Sequence, residues 1–377
     1  MLITCLAFTA LAEAPFHRSV WHPELTEVRL SELELRLSTG VLEVLTQCEP
    51  VVDSPLVEAA RVYARHDGNA GDALMAAGVS DTYVVPLRFS VRGADALGPV
   101  RDLLKQAIDR ERPTHFGVGL ATVGRVTTAA VLFVRRGADL ARFPKTIGSG
   151  ERFLLNGRLR DGLSQPRVLV ATPRGEVYEL EPRLRNQTFW ITLGFDDGAG
   201  RYNVEVQAQD RFGTQVLNLL DVTVGKNAAV PTVRLRPPEV AVSDREEAER
   251  RSLALVNATR ESYGLPIVKL SAELSKEARV HATDMSTGGF FGHRSPTRGG
   301  LTDRLRRVPH ALALENIALG PSPEAVHADL VRSPSHLRNL LDPDVTHVGV
   351  GVHEDRSGPE PVYMVTQVFV RFRAFKR

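Results

Sequence analysis

The chain has 377 residues and a formal net charge of +2, with 43% hydrophobic and 24% charged residues. At roughly one domain per 150 residues this length calls for two or three domains, and the near-balanced charge excludes a polyanion-binding tail, so nucleic acid is not an expected partner. The only cysteines are Cys5 and Cys48, which leave no disulfide framework once a leader carrying Cys5 is removed.

Residues 1–14 read as a truncated signal segment, because the apolar run from Leu2 ends in Ala10-Leu11-Ala12, a small-x-small pattern, although a basic stretch before it is missing. No later stretch reaches the roughly 20 apolar residues of a membrane span, so no transmembrane segment is expected. Residues about 24 to 66 look helical. Leu30, Leu33, Leu37, Val41, Val44 and Leu45 cover one face, Pro50 and Pro55 break the pattern, and a second helix starts near Leu56.

Two segments of this region echo later ones in the same order. Ala60-Arg61-Val62-Tyr63-Ala64 echoes Ala278-Arg279-Val280-His281-Ala282, and Thr114-His115-Phe116-Gly117 echoes Thr346-His347-Val348-Gly349. Residues 20–138 are therefore expected to be an α/β unit related to the last domain by duplication. The offset between Thr114 and Thr346 sets Leu104 opposite His336. His115 and His347 stand at strand starts, where packing is the expected role.

Residues 140–226 alternate in short runs, including 167–172, 188–193, 202–208 and 216–222, with turn signals between them, which predicts a central β-sandwich. Pro231, Pro237 and Pro238 stiffen a linker over 227–242, and residues 243–377 form the last domain. There, Ser243 and Glu246 read as a capping box, a second helix starts after Ser271, and Ser322-Pro323 and Ser333-Pro334 read as helix starts. The last of these puts His336 in a first helical turn, where the helix dipole disfavours imidazolium.

The ordered motifs of this domain are Phe290-Phe291-Gly292-His293, Glu315-Asn316, Ser333-Pro334-Ser335-His336, Thr346-His347-Val348-Gly349 and a closing strand with Thr366-Gln367. Over residues 243 to 372 they resemble the CAP superfamily, in its bacterial SCP-like extracellular branch. The resemblance implies a C-terminal α-β-α sandwich, and it makes the N-terminal region a degenerate CAP-like α/β region. The whole is then a multidomain chain of α/β and all-β parts. It also implies a cleft lined by two His and two acidic residues, matched here by His293, Glu315, His336 and Asp303 as ligand-binding residues. Leu314 stands where a Gly normally precedes the glutamate, and Asp303 is shorter than the usual acid.

Two imidazoles and two carboxylates in one cleft suit a first-row divalent ion such as Zn or copper, with His293, Glu315 and His336 as its ligands; they suit a hydrogen-bonded structural knot equally well. The expectation is an exported protein, secreted or held in the cell envelope, that binds a small-molecule or lipid ligand or an envelope component. A metal-assisted hydrolase with Glu315 or Asp303 as base is the alternative, and a structural module with an unused tetrad is the third reading. No Gly-x-Ser-x-Gly element or local Cys supports covalent catalysis.

Overall fold

The structure, a computed structural model, describes residues 10–12, 14–19, 29–66, 69–91, 97–225, 232–234, 242–356 and 361–373. The start of the expected signal segment and the linker prolines Pro231, Pro237 and Pro238 lie outside the described residues. Two compact units are present: one comprises Met1–Asp161, Pro182–Arg201 and Val222–Pro238, the other Gly162–Glu181, Tyr202–Asp221 and Glu239–Arg377.

In the first unit, α1 (Glu32–Val44) starts at a capping box of Ser31 and Glu34, and α2 (Ser54–Arg65) starts at Asp53 with Pro55 in its first turn. The helix α3 (Ala70–Ala77) stops at Gly78, whose φ of 78° is open to glycine at little cost. A four-stranded sheet combines β1 (Val51–Val52), β2 (Val84–Ser90), β3 (His115–Val123) and β4 (Val126–Val134) in the order β1-β3-β4-β2. The pair β1–β3 is parallel and the other two pairs are antiparallel. One face carries α1 and the helical turns of 98–111, with Leu37, Val41, Leu104, Phe116 and Val131 in the core; the other carries α2 and α3. Gly117 and Gly119 let α2 approach so closely that an added Cβ would lie 2.1 Å from Leu56 C or Arg61 N. Ala10–Ala12, expected at a cleavage site, pairs with Thr232–Arg234.

The strands expected between 140 and 226 are present and belong to different sheets. Ala138–Leu140, Arg152–Leu159, Thr188–Gly194 and Arg183–Arg185 form one sheet within the first unit. Ser164–Ala171 pairs with Val177–Leu180 and with β5 (Gly200–Asp210) in the second.

The second unit repeats the same scheme in its C-terminal part. The helix α4 (Arg245–Ser262) is capped by Asp244, which accepts the Glu247 N–H, so the cap lies one residue beyond the expected Ser243. Next come β6 (Lys269–Leu270) and α5 (Ala272–Gly288), capped by Ser271, then α6 (Leu301–Arg304) and β7 (His310–Gly320). They are followed by α7 (Pro323–Arg332), α8 (Pro334–Leu340), β8 (His347–Asp355) and β9 (Val362–Phe372). The sheet order is β6-β8-β9-β7, with β6–β8 parallel and the rest antiparallel. Val348, Val350 and Val352 of β8 face the core shared with α4 and α7, while α5 lies against Gly349 and Gly351.

Candidate functional site

Local sequence fixes three approaches to one carboxylate. After α5 ends at Gly289, with φ of 63°, Phe290 is buried with Met285 and Ile317 and stacks on Phe212 at 5.7 Å, which sets the chain running into His293. The four-residue α6 turns Arg304 inward. Strand β7 delivers Glu315 and Asn316, both buried and both in register with β9.

Glu315 is the hub. Arg304 Nη2 donates to Oε1 at 2.8 Å and Oε2 at 2.7 Å, and to the His293 carbonyl at 3.2 Å. His293 Nδ1 lies 3.0 Å from Oε1, with a third of its side chain exposed. His281 Nε2 donates to Gly292 O at 3.1 Å and stands 3.9 Å from Glu315 Oε1. Burial alone would raise the Glu315 pKa, but the His293 hydrogen bond and the Arg304 charge outweigh it and hold the carboxyl below its usual range. His281 is pushed down to about 4, chiefly by burial, and is neutral at pH 7.

His336 is tied to the same strand through its backbone, since Asn316 Nδ2 donates to His336 O at 3.2 Å and Asn339 Nδ2 reaches both Glu315 O at 3.2 Å and Asn316 Oδ1 at 2.9 Å. Its Nδ1 lies 2.7 Å from Ser333 Oγ. The ring is pushed down to about 3, first by burial and then by the charge of His293, and is neutral at pH 7. Ser333 Oγ also donates to Glu205 Oε2, and that carboxyl takes the Ser335 N–H at 3.3 Å and a hydrogen bond from Gln207. Burial raises the Glu205 pKa, and these hydrogen bonds offset part of the rise.

Of the expected residues, His293 and Glu315 are hydrogen-bonded, and His336 feels the charge of His293. No hydrogen bond joins Asp303 to them among the described residues: it is exposed, and its Oδ2 accepts the Gly300 N–H at 2.9 Å at the start of α6. The zinc set His293, Glu315 and His336 does not fit a metal either. Both Glu315 oxygens already face a guanidinium, and among the described residues no group of three or more His, Cys, Asp or Glu is placed to hold an ion. Arg304, His281, Ser333 and Glu205 were not expected at the site. His281 had a signal, as the one titratable residue on the apolar face of α5; Arg304 and Glu205 had none.

A three-layer α/β domain with a buried His–Glu–Arg centre is the class these features define. Residues 253–369 match the CAP family, described as the cysteine-rich secretory protein family, and the C-terminal third of the chain is a CAP domain. Over 164 residues the chain is 32% identical to the uncharacterized protein YkwD of Bacillus subtilis (strain 168), covering 40% of this chain and 64% of that protein. Over 140 residues it is 35% identical to the uncharacterized membrane protein YlbC of the same strain, covering 32% and 40%. It thus spans less than two thirds of either relative. Among solved structures, an outer surface protein from Borrelia burgdorferi is 17% identical, with a TM-score of 0.32 over 34% of this chain and 96% of that one. An extracellular SCP-domain protein from Bacillus anthracis str. Ames is 19% identical, with a TM-score of 0.31 over 58% and 77%. No described helix is long and apolar enough to cross a membrane.

Proposed function

We propose that the chain is an exported bacterial protein whose CAP domain binds a small ligand, lipid-like or a polar envelope component, beside His293 and His336. The observation that carries this reading is the closure of Glu315. A carboxylate held ionised by a guanidinium at 2.7 Å and an imidazole at 3.0 Å is a weak base, and both of its oxygens already accept hydrogen bonds from the protein. Partly exposed His293 and neutral His336 remain as groups that can exchange hydrogen bonds with a ligand. Export is inferred from the apolar run ending at Ala12.

In this reading residues 20–138 are a degenerate CAP-like copy that keeps the scaffold and lacks the site. Shared strand order and sense support it, as do the paired glycines and the hydrogen bonds of Thr114 with His115 and of Thr346 with His347, each 2.9 Å. At the His336 offset Leu104 is fully buried in an apolar core.

The test is titration of the full chain with a fatty acid, a chito-oligosaccharide and zinc chloride, following histidine ring signals and heat, alongside peptide and glycan hydrolysis assays. An organic probe should shift His293 and His336 without turnover, and zinc should bind without stoichiometry. Turnover abolished by Glu315→Gln would establish the hydrolase instead.

A further inference from the structure

The hydroxyl of Ser333 does not cap the helix that it begins. Ser322 and Ser333 both precede a proline at the first helical position, and Ser322 Oγ accepts the Ala325 N–H as a cap does. Ser333 makes no such bond to α8; its Oγ lies between Glu205 and His336 Nδ1.

Counting hydrogens sets the direction of this chain of contacts. The hydrogen bonds that Glu205 receives, from the Ser335 backbone N–H at Oε2 and Gln207 Nε2 at Oε1, favour its ionised form, in which the carboxylate is an acceptor on both oxygens. Ser333 has one hydroxyl hydrogen, and it points to Glu205. Towards His336 the hydroxyl then offers only lone pairs, and Nδ1 must supply the hydrogen. The other ring nitrogen, Nε2, carries none and meets no hydrogen-bond partner among the described residues.

We propose that Glu205 and Ser333 are positioning residues that hold His336 as its Nδ1–H tautomer and keep Nε2 free to accept a hydrogen bond. Strand β5, which lies outside the residues matched to the CAP family, thereby supplies part of the site. His293 is held in a related way, with Glu315 directly behind its Nδ1. Each imidazole has a carboxylate behind it, one in direct contact and one acting through a hydroxyl, the arrangement that fixes tautomer and ring orientation. The use of the free nitrogen rests on the ligand-binding reading above, but the tautomer is measurable with no ligand present.

The experiment is long-range proton–nitrogen correlation on the full chain labelled with 15N-histidine, with His336 assigned by the signal missing from His336→Gln. Wild-type protein at pH 7 should show a protonated Nδ1 and an unprotonated Nε2 for His336. Ser333→Ala, which removes no capping bond, and Glu205→Leu should each lose this preference and move to the Nε2–H form or a mixture. Glu205→Gln should retain it, because an amide oxygen can still take the Ser333 and Ser335 donors while Gln207 turns its own amide oxygen towards the new NH2. If Glu205→Leu does not fold, Ser333→Ala and Glu205→Gln decide. A wild-type Nε2–H tautomer, an unchanged Nδ1–H tautomer in folded Ser333→Ala, or a Glu205→Gln protein that behaves like Ser333→Ala overturns the proposal. Failure of every ligand to bind leaves these signals unaffected, so it counts against the functional reading alone.

Discussion

Arg304 holds Glu315 through one nitrogen, Nη2, at 2.8 Å from Oε1 and 2.7 Å from Oε2, with both side chains buried. Their partnership lowers the basicity of the carboxylate and makes it the anchor for His293.

Removing one partner leaves a buried, uncompensated charge. Arg304→Met should therefore cost about 3 to 5 kcal/mol, whereas the double variant Arg304→Met with Glu315→Leu should cost clearly less than the sum of the singles. Urea unfolding of the three variants measures the coupling. Additive costs would show that the two side chains do not stabilise each other.

Asp303 is bonded to the start of α6. Asp303→Ala should cost about 1 kcal/mol, the range of a lost cap, and leave the ring signals of His293 and His336 in place. A ligand affinity that falls tenfold in this variant would return Asp303 to the site.

Acid should destabilise the protein through its neutral histidines. His281 and His327 are pushed from 6.5 to about 4 and His336 to about 3, all chiefly by burial. With folded values below the unfolded one, the unfolded chain takes up protons first, so the contribution is complete above pH 6.5 and is lost as pH falls through 4 and 3. Fully buried His281 accounts for about 3 kcal/mol of this and half-buried His336 for less. Denaturant midpoints between pH 7 and 4 test the slope, and His281→Asn should flatten it. Any ligand affinity that needs neutral His336 should persist well below pH 6, where ordinary imidazoles would already be charged.

Much of this fold is legible locally. Ser271, Ser322 and Gly289 announce helix ends, and the Val-rich runs around 348–352 and 362–370 announce strands, because those signals act through neighbouring residues. Arg304 follows an equally charged Asp303, and only the turn of α6 decides which of them points inward. Glu205 lies in Asn203-Val204-Glu205-Val206-Gln207, where alternation assigns the polar positions to solvent. Glu205 and Gln207 are instead buried, and Ser333 and Ser335 hydrogen-bond to Glu205, a long-range contact that strand periodicity does not encode.

The shared scaffold of the two α/β regions makes a prediction about glycine that composition alone would not. A Cβ at Gly351 would lie 2.0 Å from Arg279 N, and one at Gly349 would lie 2.2 Å from Leu274 C; at Gly117 and Gly119 the equivalent approaches, to α2, are both 2.1 Å. Each contact is with helix backbone, so no rotamer change relieves it and helix and sheet must separate. Alanine at any of the four positions should cost at least about 3 kcal/mol, the upper end of ordinary overpacking. Gly124 is the control: its φ of 63° carries a modest strain, but nothing lies within 4 Å, so Gly124→Ala should cost only about 1 kcal/mol. Thermal and urea unfolding of the five variants reads the contrast. Equal, small costs at Gly117 and Gly119 would mean that the N-terminal helix does not seat on its strand as the C-terminal one does, and would remove the strongest support for a duplicated scaffold.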